Sequence, residues 1–80
     1  MSKDSNYISE AQSAILKLRI KELYGNQEDC AQAAGLRLTT LNNAISGRHE
    51  PGISIAQKIA AALRWPIDRC FPIPKFMHHA

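Results

Sequence analysis

Positions 38–46, LTTLNNAIS, gather more small hydrogen-bonding side chains than a packing helix has use for. At about 100° per residue, Leu38, Leu41, Ala44 and Ile45 fall within one arc of roughly 120°, the width of a core-facing stripe. Thr39, Asn43 and Ser46 take the opposite face, with Asn42 at its edge. Asn and Thr are mediocre helix formers because their side chains compete for backbone hydrogen bonds. A surface chosen for helicity alone would carry Lys, Glu and Gln instead. Asn can bond an adenine edge with two hydrogen bonds, Ser and Thr can reach bases or phosphates, and an α-helix fits the major groove. The chemistry available to this helix is therefore the reading of base edges, set against the ordinary alternative of a solvated face.

Other chemistries lack their residues. No paired acids, no nucleophile beside a base and no glycine-rich phosphate loop can be assembled, so no enzyme is expected. Cys30 with a histidine is the sole nucleophilic candidate, and Cys30 falls at a core position. Cys30 and Cys70 are not spaced as a metal site and read as small buried hydrophobes. His78 and His79 lack a third ligand, which argues against zinc. No cofactor, metal or small-molecule ligand is expected. No apolar run reaches membrane length, and MSKDSNYISEAQ lacks the apolar centre of a secretory signal. A cytoplasmic location is the expectation.

The elements that must position the 38–46 face follow from caps and breakers. Residues 1–8 read as a flexible polar arm. Ser9 opens a first helix, with Gln12 as a capping-box partner, and Ala11, Ile15, Leu16, Ile20 and Leu23 recur on it at helical spacing. Gly25 ends that helix. Asn26 caps a helix over 27–34, whose first-turn acids Glu28 and Asp29 suit its positive end. Gly35 stops it after two turns. The third helix spans 38–46 and closes at Gly47, and HEPG at 49–52 is a turn by composition. A fourth helix covers 54–63. Pro66 starts a short fifth helix through Phe71, after which Pro72-Ile73-Pro74 favours an extended tail over 72–80. The fold class is all-α with five short helices, in one domain over 9–71. At 80 residues only a modest core can be buried. Trp65 reads as an anchor beside Leu63 and Phe71.

Charge follows the same division. The net charge is +3, enough to favour an anionic partner, and residues 36–65 carry Arg37, Arg48, Lys58 and Arg64 against Glu50 alone. Lys17, Arg19 and Lys21 read as the solvated side of the first helix, with a second phosphate-contacting patch as the alternative.

Helix, glycine turn, helix is the layout of a DNA-binding helix-turn-helix, and Ala31 lets the two helices approach closely. QEDCAQAAGLRLTTLNNAISG resembles the helix-turn-helix of the phage-repressor and Cro class, also called the xenobiotic-response-element class, with the motif at 27–46. Gln27, Cys30-Ala31, Ala34-Gly35-Leu36, Leu41 and Ala44 match the pattern of the unit. Gly47-Arg48, Pro51, IAQKIAAAL and Cys70-Phe71 match its continuation, so the likeness covers about 15–71. TTLNNAI, the Pro51-Gly52 loop and the Ile-Ala-rich helix also look similar to the Ner regulators of Mu-like phages. Those have Trp-Pro near the place where this chain has Phe71-Pro72.

The resemblance implies a λ-repressor-like domain that binds double-stranded operator DNA, acts as a transcriptional repressor of phage or prophage type, and works in a bacterial nucleoid or a phage-infected cell. It implies base reading by Thr39, Asn42, Asn43 and Ser46, and backbone contacts from Gln27, Arg37, Thr40, Arg48 and His49. Thr40 falls at the groove edge or on a phosphate. Two positions depart from the family. Arg37 stands where a Ser or Thr commonly caps the reading helix. Leu38 stands where a polar residue commonly reads a base, and its place on the wheel suggests packing, with a thymine-methyl contact as the alternative. A homodimer is expected because one such domain reads few base pairs. Its interface is placed on the fifth helix and the tail, through Ile73, Phe76 and Met77. The competing function is a protein-interaction module on the same fold, such as an antitoxin-like partner using the 72–80 tail.

Overall fold

Side-chain caps and left-handed residues cut the chain into its elements. Ser9 Oγ accepts the Gln12 N–H at 3.0 Å and opens α1, Glu10–Tyr24. Gly25, at φ +87°, closes it, a backbone conformation that costs residues with a Cβ about 1 kcal/mol. Asn26 Oδ1 accepts the Asp29 N–H at 2.7 Å to start α2, Gln27–Ala34, and Gly35 ends it in the left-handed region. The chain then forms α3, Leu38–Ile45, α4, Ile53–Leu63, and α5, Ile67–Cys70, followed by a 3₁₀ turn at Pro74–Phe76. This computed structural model describes residues 7–76, and among them no strand occurs. The predicted all-α order of five helices is observed. Ends shift by a residue or so: Ser46 follows α3 as its cap, α4 begins at Ile53, and Pro66 precedes α5.

The core is drawn from every helix. Leu16, Ile20, Cys30, Leu41, Ile45, Ile59, Leu63, Cys70 and Phe71 are the large side chains with essentially no exposure. Helix α2 packs against α1, α3 and α4, and at the joint with α3 the buried Ala31 leaves room for close approach. Leu36 N–H donates to the Ala31 carbonyl at 2.9 Å and sets the turn between α2 and α3.

Helix α1 does more than cover this core. Ser13, Leu16 and Ile20 form its inner line, so Ala11 and Ile15 turn outward, against the sequence expectation. The helix carries apolar residues on two sides, and spacing alone could not say which one packs. From its inner side, polar groups reach the last carbonyls of three other helices. Ser13 Oγ donates to Ile45 O of α3 at 2.6 Å. Arg19 Nε donates to Leu63 O at 3.0 Å and Tyr24 OH to Ala62 O at 2.6 Å, both at the end of α4. Gln12 Nε2 donates to Arg69 O at 2.8 Å and Cys70 O at 2.9 Å, at the end of α5. Gln12 is thus no capping-box partner: its amide leaves its own helix to serve another. These carbonyls are the groups every helix end leaves without an internal partner.

The two ends of the chain belong to the core more than their composition suggests. Ile8 is buried, Tyr7 N–H donates to Gly47 O at 3.2 Å and Tyr7 OH donates to Ala44 O. The arm expected over 1–8 is therefore tied down at its last two residues, because a phenol and an isoleucine find a carbonyl and an apolar surface; residues 1–6 lie outside the described residues. At the other end, Phe76 is buried against Phe71, ring centroids 6.2 Å apart and edge-on. The extended tail is thus corrected at 74–76 and so is the dimer surface placed there: Phe76 serves this chain's own core, Ile73 packs against it, and Met77 lies outside the described residues. Trp65 is half-buried, with the guanidinium carbons of Arg19 and Arg69 4.8 Å and 4.2 Å from its ring centroid.

Two outcomes follow. Phe76→Ala should destabilise the domain by about 3 kcal/mol, the usual cost of a buried phenylalanine, read as a fall in the urea midpoint at unchanged helicity. Burial pushes the Cys70 thiol up to about 12, raises the Cys30 thiol, and raises the Tyr7 phenol with help from Glu50. Folding therefore favours the protonated forms, and the unfolded chain loses these protons first. Stability should be flat near neutral pH and decline above about pH 9, measured as urea midpoints across pH 7 to 11.

Candidate nucleic-acid interface

An eight-residue helix is too short to hold itself together in water, so α3 is positioned by what lies under it. Leu41, Ala44 and Ile45 are fully or almost fully buried. The carbonyls of Ala44 and Ile45 are taken by Tyr7 and Ser13. Gly47, at φ +83°, turns the chain, and the N–H groups of Arg48 and His49 both donate to Asn43 O, at 3.1 and 3.3 Å. This places Arg48 and His49 beside the end of α3.

The outward side carries the residues predicted for it. Thr39 is exposed, and Thr40, Asn42, Asn43 and Ser46 are half-buried. Two shallow dents flank the helix. One, of about 470 Å³, is lined by Gln27, Leu38, Thr39, Asn42, Asn43 and Arg48 among others. The other, of about 260 Å³, lies towards the following turn and is lined by Thr40, Asn43, His49, Pro51 and Ile55 among others. Asn43 borders both and is the centre of the face. Asn42 is committed on one side, since its Nδ2 donates to Gln27 Oε1 at 3.1 Å and links the start of α2 to the middle of α3. Among the described residues, the side chains of Thr39, Asn43 and Ser46 make no hydrogen bond within the chain. Arg37, Arg48 and His49 are exposed. Arg37 occupies the cap position of α3 and Gly52 that of α4, and neither helix start receives a side-chain acceptor.

Leu38 corrects the sequence reading. It was expected to pack; instead it is 45% exposed on the rim of the first dent. It lies at the edge of the apolar arc and in the first turn, beyond the part of α3 that the core elements cover. Sequence reasoning also missed Tyr7 and Ser13, which hold the end of α3. Ser13 had a signal: it is a polar residue in the same stripe as Leu16 and Ile20. Tyr7 had none, standing in a polar segment without periodicity.

A family model described as helix-turn-helix matches residues 15–69. The chain belongs to the helix-turn-helix family. Its class is the Cro/C1-type DNA-binding domain, and this is a domain of DNA-binding transcription regulators. A comparison with curated proteins returns no significant match. The matched span of the helix-turn-helix domain stops short of Tyr7, Gln12 and Ser13 on one side and of Cys70, Phe71 and Phe76 on the other, so part of what fixes the motif here lies outside it. No described helix is long and apolar enough to cross a membrane, and no group of three or more potential metal ligands occurs among the described residues. His78 and His79 lie outside those residues.

Ser13→Ala leaves the buried Ile45 carbonyl without its donor, and should cost about 1–3 kcal/mol. The exposed Ser54→Ala, made as a control, should leave the urea midpoint unchanged.

Proposed function

We propose that this helix-turn-helix protein is a sequence-specific repressor of phage or prophage type, which inserts α3 into the major groove of operator DNA as a homodimer. The observation that carries it is the outward face of α3: Thr39, Asn43 and Ser46, free of internal side-chain hydrogen bonds among the described residues, on a helix whose opposite side is locked into the core. A polar face left unsatisfied by the fold is available to base edges. Asn43, central and bordered by both dents, is the residue best placed to bond an adenine. Thr39, Ser46 and the free side of the Asn42 amide read neighbouring positions. Arg37 and Arg48, with Thr40 and His49, hold the phosphates on either side, a positioning role that carries little sequence information. Gln27, fixed by Asn42, meets a phosphate at the start of α2. Two half-sites about one helical turn apart match a dimer. Occupancy of such a site, in the compartment that holds the DNA, excludes polymerase.

The competing reading, a protein-interaction module using the 72–80 tail, has less to rest on at Phe76, which is buried in this chain's own core; residues 77–80 lie outside the described residues.

Selection of bound sites from random DNA defines the operator. On it, Asn43→Ala should lose at least about fivefold in specific affinity per half-site, the lower end of what a two-bond base contact contributes, with thermal stability unchanged. Arg48→Gln should weaken binding to all sequences and lower the salt slope by about one per protomer. Binding that is indifferent to salt and to Asn43 would defeat the proposal.

A further inference from the structure

Given α3 as the groove helix proposed above, we propose that Leu38 determines specificity by reading the 5-methyl group of a thymine. The apolar residues of α3 divide unequally. Leu41 and Ile45 are 0% exposed and Ala44 is 2%, whereas Leu38 is 45% exposed. It stands in the first turn of the helix, on the rim of the 470 Å³ dent, as the apolar side chain in a lining otherwise made of amides, a hydroxyl and charged groups. A leucine neither donates nor accepts. Laid against adenine, guanine or cytosine in the groove, it would strip water from N6, O6, N7 or N4 and return nothing, leaving those groups unpaired. Thymine alone of the four bases presents an apolar group on its major-groove edge.

The neighbours reinforce the choice. Asn42, one turn further along, has one amide proton directed to Gln27 at 3.1 Å. The α2-facing side of α3 therefore offers fewer free donors than its sequence suggests, and an apolar contact takes up that part of the footprint. Thr39, next in the chain and exposed, lines the same dent.

Uracil differs from thymine by that methyl alone, so the test uses the selected operator with its thymines replaced one at a time by deoxyuridine. At one thymine per half-site, wild-type protein should bind about fourfold more weakly after replacement, as expected for one buried methyl. Leu38→Ala should bind both versions equally at that position and keep the losses seen at any other. Leu38→Gln, which introduces an amide able to bond adenine N6 and N7, should change the preferred base there from thymine to adenine. The exposure of Leu38 lets both variants keep the fold, checked by urea midpoint. Uracil sensitivity that Leu38→Ala leaves undiminished at every thymine, or none at any thymine in the wild type, overturns the proposal. If sites are still selected and Asn43→Ala still weakens their specific binding as expected above, α3 remains the groove helix and only the assignment of Leu38 fails. If no sequence is selected at all, both readings fall together.

Discussion

A helix of eight residues ends before its hydrogen bonds can sustain it, and the whole molecule is arranged around that fact. Half the carbonyls of α3 lack a partner within the helix, and two of them, on Ala44 and Ile45, are met by a phenol from the N-terminal segment and a hydroxyl from α1. The same device recurs. Helix α1 sends Arg19 and Tyr24 to the end of α4 and Gln12 to the end of α5. One long helix thereby terminates three short ones. Each such bond contributes only about 1 kcal/mol, yet leaving a buried carbonyl unmet costs more, so the arrangement acts more through what it avoids than through what it adds.

Support on one side of α3 leaves the other side open. The buried line Leu41, Ala44 and Ile45 fixes the rotation of α3 about its axis, and the Asn43 carbonyl holds Arg48 and His49 at its end. The side chains of Thr39, Asn43 and Ser46 are then left without a hydrogen bond among the described residues. Substitution of these three removes no such bond, whereas substitution of Ser13 or Tyr7 removes one that holds the end of α3.

The charges are distributed to match. Arg37 and Arg48 flank α3 and are exposed. Arg19 is occupied structurally: it bonds the Leu63 carbonyl, lies over Trp65 and sits 3.9 Å from Glu22. The basic character of α1 is thus split between packing and solvent, which its sequence, counted as charge alone, could not show.

By itself the sequence determined the number and order of the helices, because Ser9, Asn26, Gly25, Gly35, Gly47 and the prolines act locally, within a turn of where they stand. It also determined the outward face of α3, since a 3.6-residue period is a local property. Tertiary structure decided what depends on residues far apart in the chain. Gln12 could cap its own helix or α5, and only the approach of residues 69–70 settles which. Tyr7, Ile8 and Phe76 sit in segments without periodicity; Ile8 and Phe76 became core and Tyr7 packs against it, because the assembled helices left apolar surface and unmet carbonyls beside them. Ile15 and Leu38 fitted apolar stripes on a wheel and still ended at the surface, for a wheel says which residues share a side of a helix, while burial depends on where the neighbouring helices stop.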